Sequence, residues 1–359
     1  MGETPTPKGR GTPLRPPSRF EKISVEADWD HVEHDGDYLA SLQKVPTEYL
    51  SDNSRSIISE NDSPDIPFRY SLNPYRGCSH GCCYCYARPT HEYLGFNAGL
   101  DFESKVIVKE RAPALFRDWL ARDRYVPEVV VLSGVTDCYQ SAERHFKLTR
   151  RCLEVALEAR QPIGIVTKNA LVTRDQDILK EMARLGIVSV SISVTTLDSE
   201  LARTMEPRTS TPSARLRAMS ELSQIGVPTT VMVSPIIPGL NDHEIPTILG
   251  NAADAGATSA SYLMLRLPLT VRPVFLDWLT RTRPLEKGKI ESRIRSTRDG
   301  ELSDAKFGRR LSGTGPVAHQ INQTFRLFAK RRGLDCEAPK LDTSKFQPPR
   351  SPSGQLRLF

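Results

Sequence analysis

Strand and helix patterns alternate along most of the chain. The strands are predicted at Phe68–Leu72, Glu128–Ser133, Ile163–Lys168, Ile187–Thr195, Val227–Ser234 and Thr258–Arg266. Amphipathic helices are predicted between the later strands, at Glu143–Arg160, Arg174–Leu185, Pro212–Ile225 and His243–Ala255. Repeated strand–helix units imply a parallel sheet with right-handed crossovers. A dinucleotide-binding sheet is disfavoured, because no G-x-G-x-x-G sequence follows any of these strands.

A cysteine-rich loop follows the first of these strands. Cys78, Cys82 and Cys85 have the spacing C-x3-C-x2-C, which lets three thiolates point at one centre. Thiolates are soft ligands, so iron–sulfur clusters and zinc are the candidates. Structural zinc takes four protein ligands, and His80 and His91 are the local options for a fourth. The lack of a convincing fourth ligand nearby favours a [4Fe–4S] cluster with one open iron, with a zinc knuckle or a buried cysteine cluster as the alternative.

Polar residues stand where the predicted strands end. The strand ends read Ser133–Asp137, Thr167–Asn169 and Ser234–Asn241. Ser189, Ser191 and Ser193 share one face of their strand, because side chains alternate with a period of two. In barrels of parallel strands, function collects at the carboxyl ends. The row of hydroxyls therefore predicts a polar ligand inside the barrel.

The cysteine loop resembles the signature of the radical S-adenosylmethionine (radical SAM) superfamily, C-x3-C-x-aromatic-C, at Cys78, Cys82, Tyr84 and Cys85. The resemblance implies an α/β fold, a partial (β/α)6 TIM-like barrel. It also implies that the three cysteines hold a [4Fe–4S] cluster whose open iron binds S-adenosyl-L-methionine. An electron, delivered by a donor such as flavodoxin or ferredoxin, then cleaves this cofactor to a 5′-deoxyadenosyl radical.

The same resemblance implies a set of cofactor-binding residues. Matched one by one to the family's contacts, they are Tyr84, Thr136, Asp137, Lys168, Ser193, Arg203 and Pro235.

Gly77–Tyr86 has the form G-C-x-H-x-C-x-Y-C-Y, and Val135–Asp137 is similar to a Y-T-D sequence. On these residues the chain resembles the spore photoproduct lyase-like branch of the superfamily, from about Phe68 to Arg266. Photoproduct lyases repair a thymine dimer in DNA and use a cysteine just before a Y-T-D sequence as hydrogen donor. The matching residue here is Gly134, which makes that reaction doubtful, while Cys138 lies beyond Asp137. Cys138 is predicted as a catalytic radical-relay thiol, with a small buried thiol as the alternative.

Charge is distributed unevenly along the chain. The net charge is +6, yet the residues from Arg266 onward hold 20 Lys and Arg against 9 Asp and Glu. This asymmetry predicts a polyanionic partner, DNA or RNA. No apolar run is long enough for a transmembrane helix, and the first residues lack the apolar core of a secretory signal. We therefore expect no membrane association, a cytoplasmic protein and reduced cysteines.

Four regions are predicted. Residues 1–65 form a mostly disordered arm, since the stretch from Thr4 to Pro17 cannot build a core. Residues 66–266 form the barrel, 267–340 a basic helical annex, and 341–359 a flexible tail. The tail ends in Gln355–Phe359, a Q-L-x-L-F peptide like those that dock on the DNA sliding clamp.

Two functions follow as hypotheses. The leading one is a radical SAM enzyme, lyase-like or nucleic-acid modifying, that acts in repair or modification. The alternative is a non-catalytic zinc or iron–sulfur protein that associates with DNA. In either case Cys83, outside the signature, is predicted to be dispensable.

Overall fold

A computed structural model describes residues 6–20 and 45–349. Within these ranges the strands are β1 Glu48–Ser51, β2 Ile58–Glu60, β3 Tyr70–Leu72, β4 Tyr75–Arg76, β5 Lys105–Val108, β6 Val130–Leu132, β7 Ile163–Thr167, β8 Val188–Ser193, β9 Thr229–Ile236 and β10 Ser259–Met264.

The α-helices within the same ranges are α1 Leu100–Ser104, α2 Ala112–Leu120, α3 Glu143–Phe146, α4 Leu148–Glu158, α5 Gln176–Arg184, α6 Ser199–Met205, α7 Pro212–Gln224, α8 Ile245–Asp254, α9 Val271–Thr282, α10 Lys287–Ser296 and α11 Gly315–Arg331. Shorter 3-10 helices cover Arg88–Leu94, Ala170–Asp175 and Asp242–Glu244.

The main sheet has seven strands in the order β10-β9-β8-β7-β6-β3-β2. Each neighbouring pair from β3 to β10 is parallel, whereas β2 pairs with β3 antiparallel. The six parallel strands are those predicted from the sequence, so the partial barrel is confirmed. Strand β5 lies in a separate sheet of order β1-β5-β4.

Strand β8 shows why the barrel has a polar interior. Its valines and isoleucine are buried in the main core, whereas Ser189 and Ser191 are only half-buried on the opposite face. Alternation along the strand therefore turns apolar side chains toward the surrounding helices and hydroxyls toward the lumen.

One long helix predicted over Glu143–Arg160 is interrupted. Lys147 adopts a left-handed conformation (φ 51°) and separates α3 from α4. Glu143 is fully buried, and its carboxylate accepts from the backbone N–H of Thr149 at 2.9 Å. A buried side chain thus caps the second helix, a tertiary contact that periodicity alone does not reveal.

The annex helices share a core with the cysteine loop. Phe275, Trp278 and Leu279 of α9 belong to the same buried cluster as Cys82 and Tyr84. The annex therefore covers one side of the loop. The predicted boundaries at 66–266 and 267–340 stay predictions.

Residues near both termini are packed where the structure describes them. Arg10 and Thr12 are buried, so residues 6–17 differ from the expectation of disorder. Gln347 donates its backbone N–H to the Ala159 carbonyl at 2.9 Å, and the Phe346 ring lies 5.1 Å from that of Tyr125. Residues 341–349 are thus held against the barrel, in contrast to the predicted flexible tail. Residues 355–359, with the clamp-like peptide, lie outside the described ranges.

Candidate functional site

The cysteine loop lies between β4 and the 3-10 helix Arg88–Leu94. Cys78, Cys82 and Cys85 are free thiols, the first two buried and the third half-buried. The Cys78 N–H donates to the Phe102 carbonyl at 2.9 Å, and the Cys85 N–H donates to the Cys82 carbonyl at 3.2 Å. The loop backbone is therefore fixed before any metal binds.

The donor set of the loop fits an iron–sulfur cluster. Burial raises the pKa of the Cys78, Cys82 and Cys85 thiols, so each keeps its proton until a metal centre displaces it. In the part of the chain that the structure describes, no three His, Cys, Asp or Glu side chains converge on a point where one metal ion could sit. A cubane does not require such convergence, since each thiolate binds a different iron.

The two histidines considered as fourth ligands have different surroundings. His80 is 3.2 Å from the Asn169 amide and 3.5 Å from the Asp137 carboxylate. His91 is fully buried and lies against the rings of Phe96 and Phe102. Burial lowers the pKa of His91 to about 4, so its ring is neutral at neutral pH.

A buried ion pair between Arg88 and Glu103 lies against the cysteine loop. Arg88 is fully buried and donates twice to the Cys82 carbonyl, at 2.9 and 3.1 Å. Its guanidinium also pairs with the buried Glu103 carboxylate at 2.5 Å. Guanidinium has five donors in a rigid fork, which suits this multiple anchoring. Arg88 therefore fixes the backbone at one predicted ligand.

The N-terminal arm reaches the same carboxylate. The Gly11 N–H donates to Glu103 Oε2 at 2.8 Å, and Arg10 donates to the Glu103 carbonyl. A Cβ at Gly11 would lie 1.8 Å from the Gly81 carbonyl oxygen, so only glycine permits this approach. The arm is thus packed on the cysteine loop at backbone distance.

A glutamine clamps the loop from the β6 side. Gln140 accepts from the Ser79 N–H and donates to the Gly77 carbonyl, each at 3.0 Å. Both backbone groups flank Cys78, and Gln140 is fully buried. The single amide therefore holds the loop at a second ligand position.

Asp137 and Thr136, predicted to bind the cofactor, already have protein partners. Asp137 accepts from Thr167 Oγ1 and from the Lys168 N–H, both at 2.8 Å. The Thr136 hydroxyl donates to the Tyr75 carbonyl at 2.7 Å. Asp137 is therefore placed to orient His80 of the cysteine loop, and its role toward the cofactor stays a prediction.

Lys168 and Ser193 lie together at the strand ends. Lys168 Nζ donates to Ser193 Oγ at 2.6 Å and lies 3.3 Å from the Ser234 carbonyl. The same ammonium is 5.9 Å from the centre of the Tyr84 ring. The structure thus brings three predicted cofactor-binding residues to one place, since Tyr84 belongs to the cysteine loop.

Pro235 and Arg203 differ in position. Pro235 is buried in β9, and its carbonyl accepts from Asn241 at 3.0 Å. It therefore lies next to Ser234, beside Lys168. Arg203 is exposed on α6 and makes no hydrogen bond or ion pair with any described residue. The structure does not bring Arg203 to the cluster of predicted residues.

A buried carboxylate, Glu206, was missed by the sequence analysis. It accepts from the Tyr84 hydroxyl, from Thr195 Oγ1 at 2.7 Å and from the guanidinium of the equally buried Arg215. Burial alone would raise the pKa of Glu206, but Arg215 and Lys168 outweigh that effect and lower the pKa to about 2. Glu206 directly follows α6, in the sequence Met-Glu-Pro-Arg, where no helix or strand periodicity indicates which residues are buried.

Cys138 is in the main hydrophobic core. Its side chain is fully buried, its N–H donates to Ser133 Oγ at 2.8 Å and its carbonyl accepts from Thr149. A hydrogen donor must reach its substrate, and this thiol is fully buried beside the Ser133 and Thr149 hydroxyls. The placement favours the buried-thiol alternative over the predicted catalytic role.

Comparison with known proteins identifies the family. The Radical SAM superfamily model matches residues 72–251. A Mycobacterium tuberculosis protein described as uncharacterised is 41% identical over 221 residues, which cover 61% of this chain and 65% of that protein. A Methanocaldococcus jannaschii protein, also described as uncharacterised, is 31% identical over 176 residues, or 49% of this chain and 63% of that one. The chain thus spans about two thirds of the length of these relatives.

Solved structures share the fold. Spore photoproduct lyase complexed with dinucleoside spore photoproduct superposes with a TM-score of 0.58 at 15% identity, over 79% of each chain. A mutant of that lyase with bound S-adenosylmethionine gives the same TM-score at 16% identity, over 79% of this chain and 78% of the lyase. Because the superfamily model matches half of its residues, the chain belongs to the radical SAM superfamily, and its cofactors are a [4Fe–4S] cluster and S-adenosylmethionine.

Proposed function

We propose that this radical SAM enzyme holds its cluster through Cys78, Cys82 and Cys85 and acts on nucleic acid. One observation carries the first part: three free thiols lie on a loop whose Tyr84 contacts Glu206 and adjoins Lys168 at the strand ends. Cys78, Cys82 and Cys85 would hold the cluster, which when bound would supply the reducing chemistry for S-adenosylmethionine cleavage.

The chain's own residues support binding and orientation of the cofactor. The Lys168 ammonium and the Ser193 hydroxyl, 2.6 Å apart, can donate to a carboxylate or a ribose hydroxyl. The Tyr84 ring, buried beside Lys168, offers a flat face to an adenine. Helix α9 and the core that it shares with the loop exclude water from that side. A dry site of this kind protects a reactive radical from side reactions.

Two observations support a nucleic-acid substrate. The chain beyond Arg266 carries a large excess of positive charge. The solved structures of similar fold include a lyase complexed with a dinucleoside photoproduct. The hydrogen donor must differ from that of photoproduct lyases, because Gly134 at the matching position carries no thiol, and an added Cβ would lie 2.8 Å from the Ser71 Cβ.

Anaerobic reconstitution tests the proposal. We expect about four irons per chain and 5′-deoxyadenosine release under dithionite. Alanine at Cys78, Cys82 or Cys85 should abolish both. Cys83 is the matched control, because it is fully buried in the same loop but lies outside the ligand spacing. If the Cys83→Ala protein loses its cluster while Cys82→Ala retains it, the ligand assignment is wrong.

The substrate is tested by product analysis. The reconstituted protein is incubated with irradiated DNA, undamaged DNA and total RNA, and the nucleosides are then compared by mass spectrometry. A new or reverted nucleoside that requires S-adenosylmethionine supports action on nucleic acid. If S-adenosylmethionine is cleaved but none of the three nucleic acids changes, the cluster assignment is supported and action on nucleic acid is not.

A further inference from the structure

The main sheet is an open barrel with two edges, and one segment bridges the space between them. The Met264 N–H at the end of β10 donates to the Leu311 carbonyl at 2.9 Å. On the other side, Gly308 N–H and Arg310 Nε donate to the two oxygens of Asp65, at 2.6 and 2.7 Å. Asp65 belongs to the β2–β3 connection. The segment 307–311 thus joins the last barrel strand to the opposite edge.

A buried arginine fixes two further arginines on this bridge. Arg298 donates to the Leu265 carbonyl at 2.7 Å and to the Arg309 carbonyl at 3.0 Å. These carbonyls immediately precede Arg266 and Arg310 in the sequence. Arg298 is almost fully buried, so it holds the two chain segments in a defined relation. The backbone positions of Arg266 and Arg310 are therefore set together.

Arg266 has no partner. Among the described residues it forms no hydrogen bond and no ion pair, and its Nε is buried without an acceptor. The Nε of Arg298 is likewise buried and unsatisfied. Arg310 pairs with the single carboxylate of Asp65. Burying a cation without a partner is costly, so an anion bound beside Arg266 would stabilise this arrangement.

The charges around Arg266 agree with that reading. Burial and the neighbouring Arg310 lower the pKa of Arg266, whereas Tyr86 and Asp65 raise it. Burial also lowers the pKa of Arg298 to about 10. Asp304 opposes this lowering of the Arg298 pKa, whereas the like charges of Arg266 and Arg309 add to it.

Exposed aromatic rings flank the arginines. Tyr86 follows the cysteine Cys85, its hydroxyl donates to the Gly134 carbonyl at 2.7 Å, and its ring is half exposed. Phe307 is 57% exposed, and the Arg310 guanidinium lies 4.5 Å from its ring centre. Cations that bind the backbone and aromatic rings that stack with bases are the usual elements of single-strand nucleic-acid sites.

We propose that Arg266 and Arg310, positioned by Arg298, bind a backbone phosphate of a single-stranded or extruded nucleic-acid substrate beside Tyr86. The inference rests on the proposed function, because it assumes a nucleic-acid substrate. Tyr86 adjoins a predicted cluster ligand, so a phosphate held here places the attached nucleoside next to the cofactor site. The phosphodiester is common to DNA and RNA, and the experiment separates the two.

The test measures anisotropy of a short fluorescein-labelled single-stranded DNA, and of an RNA of the same sequence, with reconstituted protein at several salt concentrations. Arg266→Gln should weaken binding about 10- to 100-fold, the loss expected for one charged hydrogen-bonding contact. It should also reduce the slope of log affinity against log salt by about 0.7. Arg266→Lys should keep the slope and regain part of the affinity. Arg326→Gln, an exposed arginine of α11, is the matched control and should bind like the wild type.

A second readout separates binding from folding. Because Arg266 forms no hydrogen bond or ion pair with the residues that the structure describes, Arg266→Gln should unfold at the same urea concentration as the wild type or a higher one. If the role of Arg266 were purely structural, the Arg266→Gln protein would instead unfold at a lower urea concentration.

Three results would overturn the inference. If Arg266→Gln binds with the same affinity and the same salt slope as the wild type, the inference is wrong. Nucleic-acid binding and cofactor cleavage by the wild type would then still support the proposed function. Equal losses in Arg266→Gln and Arg326→Gln would show diffuse surface charge. If the wild type binds neither the DNA nor the RNA, the assumed substrate is wrong and the inference fails with it. Release of 5′-deoxyadenosine tests the radical SAM activity independently of this result.

Discussion

Glu206 is the buried carboxylate that connects the cysteine loop to the barrel. It accepts from Tyr84 of the loop and pairs with Arg215 of α7, and both charged groups are nearly inaccessible. Removing one member of a buried pair leaves the other charge without compensation, which costs several kcal/mol. Sequence periodicity cannot identify such a residue, because it depends on contacts between segments far apart in the chain.

Glu206→Gln should lower the free energy of unfolding by about 3 kcal/mol, because Arg215 then stays buried without a carboxylate. Urea denaturation of the apo protein measures this change. The control Glu200→Gln, on the exposed start of α6, should change it by less than about 0.5 kcal/mol. Equal stabilities of the two variants would show that Glu206 and Arg215 do not act as a pair.

Lys109 is a buried lysine that gives stability a dependence on pH. It is 8% exposed, and burial, with a smaller effect of Arg76, lowers its pKa from 10.5 to about 8. Between these two values the unfolded chain retains a proton that the folded protein has released. The free energy of unfolding attributable to Lys109 therefore rises as pH increases through this window.

From pH 7 to about pH 9.5, the wild type should gain about 2 kcal/mol more stability than Lys109→Met. Urea titrations at the two pH values give the difference. Lys180→Met, which removes an exposed ammonium, should follow the wild type. Parallel pH profiles for wild type and Lys109→Met would mean that Lys109 keeps its ordinary pKa.

At the scale of elements, the N-terminal arm and the cysteine loop form one unit. The arm contributes Arg10 and Gly11 to the network around Glu103, and the Leu100 N–H donates to the Leu14 carbonyl at 2.9 Å. A Cβ at Gly99 would lie 2.0 Å from that carbonyl oxygen, so a second glycine permits close contact. The composition of the arm predicts disorder because it lacks apolar runs, yet backbone contacts hold it.

Gly11→Ala should displace the arm from Gly81 and lower the iron content per chain after reconstitution. The unfolding free energy should fall by about 1–3 kcal/mol, the usual cost of overpacking. Iron analysis and urea denaturation measure the two effects. Gly288→Ala, in α10 with nothing near the added Cβ, should retain iron and stability. If the Gly11→Ala protein retains its full iron content, packing of the arm on the loop is not needed for cluster binding.

At the scale of the whole molecule, the annex and the barrel share a core through the cysteine loop. Trp278 of α9 is 1% exposed, and its indole N–H donates to the Thr204 carbonyl at 3.0 Å. Along the chain, the annex follows β10 and returns to pair Leu311 with that strand. In the described ranges no helix is long and apolar enough to cross a membrane.

Trp278→Ala should cost about 3–5 kcal/mol in a single cooperative unfolding transition and speed cluster loss in air. Urea denaturation followed by fluorescence and by circular dichroism checks cooperativity. Leu327→Ala, half exposed on α11, is the control and should change little. Two separate transitions, with the barrel unaffected, would instead support an annex that folds by itself at the predicted boundary of residue 267.

The fold was predictable because strand and helix periodicities are local. Strands β3 and β6 to β10 lie within the predicted segments or end within two residues of them, and the cysteine spacing indicated the family. The placement of Lys168 beside Ser193 also followed, since the carboxyl ends of parallel strands meet at one end of a barrel. These features depend on alternation and spacing, which one sequence contains in full.

Only the tertiary structure shows which segments of the chain come into contact. Arg88, Glu103 and Glu206 are charged residues that composition assigns to the surface, yet each is buried because a partner from elsewhere in the chain neutralises it. Cys138 and Arg203 looked chemically suitable, but one is enclosed in the core and the other is exposed on α6. Burial and pairing are properties of the folded chain, so local sequence carries no record of them.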